Sequence, residues 1–206
     1  MLNDRRAKID KDLKEVEEEG LVHKGAGKTH GQEPRVDTLV SIRVATPSDD
    51  ERLRGMFSRV SSETIYRRFH IPYPDVPERT LALMLDADHH DKESLVAIAE
   101  EEIIGHAMYV RLGDGGEAEM AIIVEDRWQS KGVGKLLLCE LAERATLRGI
   151  ETCTAEVLGT NRRMLGLATM FAGTDYTIKD GLYHVRMPLR MLEPTAYAAR
   201  TLRRAA

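Results

Sequence analysis

Residues Val124–Leu138 read VEDRWQSKGVGKLLL. The apolar run Met120–Val124 enters this stretch as a strand would, and a Leu-rich amphipathic run leaves it as a helix would. Between them Gln129-Ser130-Lys131-Gly132-Val133-Gly134 forms a short glycine-bearing turn. A turn at a strand-to-helix junction can aim several backbone N–H groups at one point, with the positive end of the helix dipole behind them. Such a turn suits a pyrophosphate.

Outward from the turn, the pattern predicts a helix from about Lys131 to Arg148. Leu137, Leu138, Leu141, Ala142 and Ala145 form its buried stripe, Glu140 and Arg144 its i,i+4 pair, and Gly149 its stop. Upstream, strands are expected at Leu95–Glu100 and Ile103–Leu112, joined by an acidic turn, and at Glu117–Val124 after Gly113-Asp114-Gly115-Gly116. Before these come a strand at Leu39–Val44 and helices over 49–60, Ser62–Phe69 and from Pro77 to about Leu85. Downstream follow a strand at Thr152–Val157, a helix at Asn161–Phe171, and a hairpin of Tyr176–Lys179 with Leu182–Leu189 turning at Asp180-Gly181. This order predicts an α+β (mixed α/β) domain over 38–192. A helical arm and linker over 1–37 precede it, and a helical tail over 193–206 follows.

With 206 residues, 42% of them hydrophobic, the chain can bury one good core. A net charge of −4 without a long basic block gives nucleic-acid binding no electrostatic support. No apolar stretch approaches the length of a membrane span, and the N-terminus lacks a signal-peptide core, so a cytoplasmic protein is expected. Cys139 and Cys153 make neither a disulfide framework nor a metal site by themselves and read as small buried residues.

Two other motifs are set aside. Gly25-Ala26-Gly27-Lys28-Thr29 imitates the end of a Walker A loop, but Val22 stands where that loop needs glycine, and a charged helix precedes where a strand is needed. Asp86-Ala87-Asp88-His89-His90-Asp91 is rich in metal-ligand types, yet its spacing fits no ligand pattern and it reads as a solvated loop. No metal is expected.

Gln129-x-x-Gly132-x-Gly134, with an apolar strand before it and a long amphipathic helix after it, resembles the acetyl-CoA-binding motif of the GNAT N-acetyltransferases. The strand order matches that family over about 38–190, and Asn161 in NRRMLGLA resembles its second motif. SSETIYRRFHIPYPDVPE and SLVAIAEEEIIGHAMYV resemble the acetyltransferase domains of bacterial protein-lysine acetyltransferases. The resemblance implies a central, mostly antiparallel twisted sheet flanked by helices, with acetyl-CoA as co-substrate. It implies that Ile122, Ile123 and Val124 offer backbone groups to the pantetheine arm, commonly beside a strand bulge. Gln129, Ser130, Lys131, Gly132, Val133, Gly134 and Lys135 would then hold the pyrophosphate, and Asn161 would contact pantetheine or cap its helix. At the position of the family's tyrosine acid, counted from Asn161, stands Ala168.

Direct acetyl transfer to an amine needs a group that removes a proton, because a lysine amine has a pKa of about 10.4. Alternation along the strand puts Glu117, Glu119, Ala121 and Ile123 on one face, and Glu119 lies one step inside the polar edge, near the turn. Glu119 is the expected base and Glu117 its substitute, while His106 reads as a core or surface histidine. The resemblance favours a protein lysine as the amine acceptor. A small-molecule amine is the alternative, and a non-catalytic acyl-CoA sensor is the reading from another class. Nothing in the sequence sets an oligomeric state.

Overall fold

The computed structural model describes residues 39–71 and 76–189. The predicted arm, the 25–29 segment and the C-terminal tail lie outside the described residues. Seven strands form one sheet: β1 (Ser41–Val44), β2 (Lys92–Ala99), β3 (Glu102–Arg111), β4 (Glu117–Val124), β5 (Thr152–Leu158), β6 (Asp175–Lys179) and β7 (Leu182–Pro188). Their spatial order is β1-β2-β3-β4-β5-β7-β6. Every neighbouring pair is antiparallel except β4 and β5, which run parallel. The helices are α1 (Asp50–Arg59), α2 (Ser62–Phe69), α3 (Glu78–Leu85), α4 (Val133–Leu147) and α5 (Arg162–Ala168).

The strand alternation divides the core between the two faces of the sheet. Met120 of β4 packs in one cluster with Leu137, Leu138 and Leu141 of α4. Ile123, three positions on, packs with Leu53 and Met56 of α1, Ile65 of α2 and Leu81 of α3. Helix α4 therefore covers one face and α1–α3 the other. Each fully buried leucine of these stripes contributes about 1.5–3 kcal/mol. The two tight hairpins follow from their turn residues. Glu100 and Glu101 have φ 52° and 67°, and Asp180 and Gly181 have φ 52° and 81°. Two consecutive left-handed residues match the right-handed twist of the flanking strands.

Two helix boundaries differ from the periodicity by more than one residue. α4 begins at Val133 rather than Lys131, because Ser130 (φ 58°) and Gly132 (φ 87°) are left-handed and cannot lie within a right-handed helix. α5 ends at Ala168 rather than Phe171, where the Thr174 hydroxyl donates to the carbonyls of Ala168 (2.8 Å) and Phe171 (2.7 Å) and turns the chain away.

Buried carboxylates hold the frame. Arg43 forks onto Asp49 with two 2.6 Å hydrogen bonds, and the Thr46 N–H donates to the same carboxylate at 2.9 Å. Arg43 holds the Asp49 carboxyl down at about 2, against the upward push of burial, with Thr46 helping. A depressed carboxyl stabilises the fold above its unfolded pKa of about 3.9, and that stability is lost as pH falls through the folded value. Asp49→Asn should cost on the order of 2 kcal/mol near neutral pH, the gap to wild type closing between about pH 4 and 2. Urea unfolding of both proteins across that range checks it.

Ser61 caps α2, its Oγ accepting from the Thr64 N–H at 3.2 Å. Asp126 in turn accepts from the Ser61 N–H (2.8 Å), Ser61 Oγ (2.7 Å) and Thr64 Oγ1 (2.8 Å). This carboxylate pins α2 to the segment between β4 and α4. Among the described residues no helix is long and apolar enough to cross a membrane.

Candidate active site

The parallel pair β4–β5 is short. It runs from Glu117↔Thr152 to Glu119↔Thr154, and beyond it the two strands part. One edge of β4 is then left open toward a slot. The β3–β4 ladder shows which backbone groups face it. The Glu125 N–H donates to the Ile104 carbonyl (2.9 Å) and the Leu112 N–H to the Glu117 carbonyl (2.8 Å), so odd-numbered positions of β4 bond to β3. Ile122 and Val124 consequently turn their N–H and C=O groups to the slot. Ile123 does not: its backbone faces His106 and its side chain packs with the α1–α3 cluster, although it borders the first cavity. The expected bulge is not in β4 either. The β3–β4 register is unshifted through Val124, and the shift among the described strands lies between Ala97 and Ile98 of β2. The open edge already frees the N–H groups that a bulge would free.

The glycine turn closes the slot at one end. No side chain caps α4 at Gly132, so the N–H groups of Gly132, Val133 and Gly134 have no acceptor within the helix. A Cβ on Gly134 would lie 3.3 Å from Leu167 Cδ1 and 3.8 Å from Val124 Cγ2, so glycine keeps α4 close to both α5 and β4. Ser130 and Lys131 are exposed, and the Lys131 ammonium sits 5.9 Å from the centre of the Trp128 ring. Lys135 lies half-buried in the first turn of α4. Gln129 plays a different part from the one its place in the turn suggested. Its N–H is taken by the Asp126 carbonyl (3.2 Å). Its amide donates to Thr64 Oγ1 (3.1 Å) and the Val124 carbonyl (3.0 Å), and accepts from Arg163 (2.6 Å). Gln129 thus braces α2, β4 and α5 around the slot.

Two adjoining cavities of about 120 and 240 Å³ open from the slot. The first runs along Ile122 and Val124 to Gly134, Asn161 and Leu167, the route from the open strand edge to the uncapped helix. The second lies on the α2 side, between Glu119 and Glu156 on the strands and Arg67, Arg68 and His70 at the end of α2. Arg67, Arg68, Ile122, Asn161 and Met164 line both, so the cavities meet there. Asn161 is the N-cap of α5, its Oδ1 accepting from the Met164 N–H at 3.2 Å.

Glu119 is exposed in the second cavity. The other acidic residues near the turn are occupied. Glu117 pairs with Arg186 (2.9 Å), Glu125 is buried between Arg59 (3.0 Å) and Arg127 (2.5 Å), and Asp126 caps α2. His106 is fully buried, with Nε2 2.8 Å from Ser94 Oγ, and burial pushes its imidazole down to about 3. It is a core histidine. Burial raises both thiols, Cys153 to about 12, so neither is a nucleophile at neutral pH. Among the described residues no tyrosine lines either cavity. Ala168 is fully buried, and the Tyr176 hydroxyl is turned to the Leu165 carbonyl (3.5 Å). His89 and His90 are paired with Glu93 (2.8 Å) and Asp91 (2.9 Å), and Asp88 accepts from three successive backbone N–H groups, which makes the 86–91 segment a braced loop.

Residues 61–173 match the family model described as the acetyltransferase (GNAT) family. The chain belongs to the GNAT acetyltransferases. It is 33% identical over 129 residues to acetyltransferase Pat of Mycolicibacterium smegmatis, a match that covers 60% of this chain and 38% of that protein's length. The crystal structure of the GNAT domain of S. lividans PAT is 31% identical with a TM-score of 0.68, covering 79% of this chain and 99% of that one. A Salmonella typhimurium protein, yncA, whose structure contains acetyl-CoA, shares the fold at 21% identity with a TM-score of 0.59, over 76% of this chain and 98% of that one.

Within this GNAT chain, sequence reasoning missed the contribution of α2. Thr64, Arg67, Arg68 and His70 form a wall of the slot although some fifty residues separate them from β4. The signal present was the pair Arg67-Arg68 on a short helix whose other face is apolar, which local pattern alone reads as a solvated face. Arg163 was missed in the same way.

Proposed function

We propose that the chain transfers an acetyl group from acetyl-CoA to an amine, with a protein lysine as the acceptor. The parting of β4 and β5 carries this reading. It gives one path from an uncapped helix N-terminus, past the slot-facing N–H groups of Ile122 and Val124, to a cavity holding a carboxylate. Gly132, Val133 and Gly134 would direct N–H groups at the pyrophosphate, with the dipole of α4 behind them. Ile122 and Val124 would pair with the pantetheine amides as a neighbouring strand does, and Asn161 would border the same arm where the cavities meet. On the opposite side Glu119 would take the proton from the attacking amine. The amine nitrogen forms the new C–N bond to the acetyl carbon, the C–S bond breaks, and CoA leaves as a thiolate that takes a proton from solvent. The slot N–H of Ile122 or Val124 stands ready for the carbonyl oxygen as it gains charge. The resemblance of the sequence to bacterial protein-lysine acetyltransferases supports the lysine acceptor, and the chain spans 38% of the length of acetyltransferase Pat.

Calorimetric titration with acetyl-CoA and a CoA-release assay test the reading together. Acetyl-CoA should bind, and a lysine peptide should raise CoA release at least about tenfold over the acceptor-free rate, which corresponds to roughly 1.4 kcal/mol of barrier. Binding without release on any amine would leave a sensor module in place of a transferase. Release with polyamines or amino sugars but not with peptides would move the acceptor to a small molecule.

A further inference from the structure

The acceptor side of the site has walls of opposite charge. Glu119 and Glu156 project from the same face of the sheet, because Glu119 pairs with Thr154 and Glu156 lies two residues further along β5. They suit the ammonium form of an arriving amine. The facing wall is the end of α2, Arg67, Arg68 and His70. Arg67 is already answered by Glu63 at 2.5 Å. Arg68 has no carboxylate hydrogen-bonded to it among the described residues: the Glu119 carboxylate acts on it through charge alone, its Nε is buried without a hydrogen-bond partner, and its guanidinium lies 4.8 Å from the centre of the Phe69 ring. His70 ends the same helix in a left-handed conformation (φ 57°), and its Nε2 is likewise buried without a partner among the described residues. Two orphaned side-chain nitrogens on one wall of one cavity are uncommon in a folded protein, where buried polar groups are almost always satisfied. An anion that enters the cavity with the amine would supply the acceptor both nitrogens lack.

We propose that the acceptor carries an acidic group beside its amine, in the form of a polypeptide lysine next to an aspartate or glutamate. Arg68 and His70 bind the carboxylate while the amine reaches Glu119. The assignment rests on the transferase reading above. A free amino acid shares this chemistry, but a protein lysine is the acceptor of the reading proposed above.

The test uses the full chain, acetyl-CoA and heptapeptides with one central lysine, differing only in the next residue: aspartate, asparagine or arginine. A charge-assisted hydrogen bond is worth about 1.5–3 kcal/mol, so kcat/KM should be at least about tenfold higher for the aspartate peptide than for the asparagine one. The arginine peptide should be the poorest. Arg68→Gln and, independently, His70→Asn should each shrink the aspartate-over-asparagine ratio, and Arg68→Lys should keep part of it. The loss should fall on KM for the aspartate peptide. Equal turnover of the aspartate and asparagine peptides by wild type would overturn the proposal. So would a ratio that persists in both variants, or turnover of free amino acids in place of every peptide. A failure to release CoA with any amine at all would instead overturn the transferase reading, and the acceptor assignment with it.

Discussion

Glu119→Gln should lower kcat by roughly 10²- to 10⁴-fold while leaving acetyl-CoA affinity nearly unchanged, the range expected for loss of a general base. The amide keeps the size of the carboxylate and occupies the same exposed place in the second cavity. It cannot accept the proton that a lysine amine holds up to a pKa of about 10.4. The defect should therefore shrink as pH rises and more of the amine arrives deprotonated. Steady-state rates over a range of pH, with calorimetric titration of acetyl-CoA, read both halves of the expectation. Normal turnover by the variant would remove Glu119 from the mechanism. Glu117 is a poor substitute because Arg186 already holds it at 2.9 Å, whereas Glu156 faces the same cavity with only the His184 imidazole beside it at 3.3 Å and would be the next carboxylate to replace.

Gly132→Val should abolish measurable acetyl-CoA binding and leave a folded protein. Gly132 has φ 87°, a conformation that costs an L-residue about 1–2 kcal/mol and a β-branched one more. Valine would relieve that strain by rotating the N-cap, which redirects the N–H groups of Gly132, Val133 and Gly134 away from their common point. Several N–H bonds to a pyrophosphate would be lost together, a loss of at least about 100-fold in affinity if two charge-assisted bonds go. The stability cost is limited because the stripe of α4, from Leu137 to Ala145, stays packed on the sheet. Circular dichroism and calorimetry separate the two effects. Unchanged affinity in a folded variant would place the phosphate elsewhere.

The order of elements, the two tight hairpins and the strand-turn-helix at Gln129–Gly134 were legible because each rests on a local physical rule. Apolar spacing separates strands from helices, and Asp180-Gly181 is a turn signal through its own φ preferences. Alternation likewise assigned Glu119 to its face, and the split of Met120 and Ile123 between the two core clusters agrees with it. Alternation of side chains, however, says nothing about which neighbour a strand's backbone bonds to. That is why Ile122, Ile123 and Val124 were read as equivalent, and why the ladder to β3 was needed to separate Ile123 from the other two.

The sequence by itself determined the sheet-and-helix framework, the uncapped glycine turn and the carboxylate ahead of it, all of which are set within a few residues of chain. Only the tertiary structure decided that β4 and β5 part after Glu119, that Gln129 braces three elements rather than offering its N–H, and that Arg68 and His70 face Glu119 across one cavity. These are contacts between segments far apart in the chain. They arise where Asp126 clamps the start of α2 onto the end of β4, and no local periodicity records which surfaces a helix and a strand will bring together.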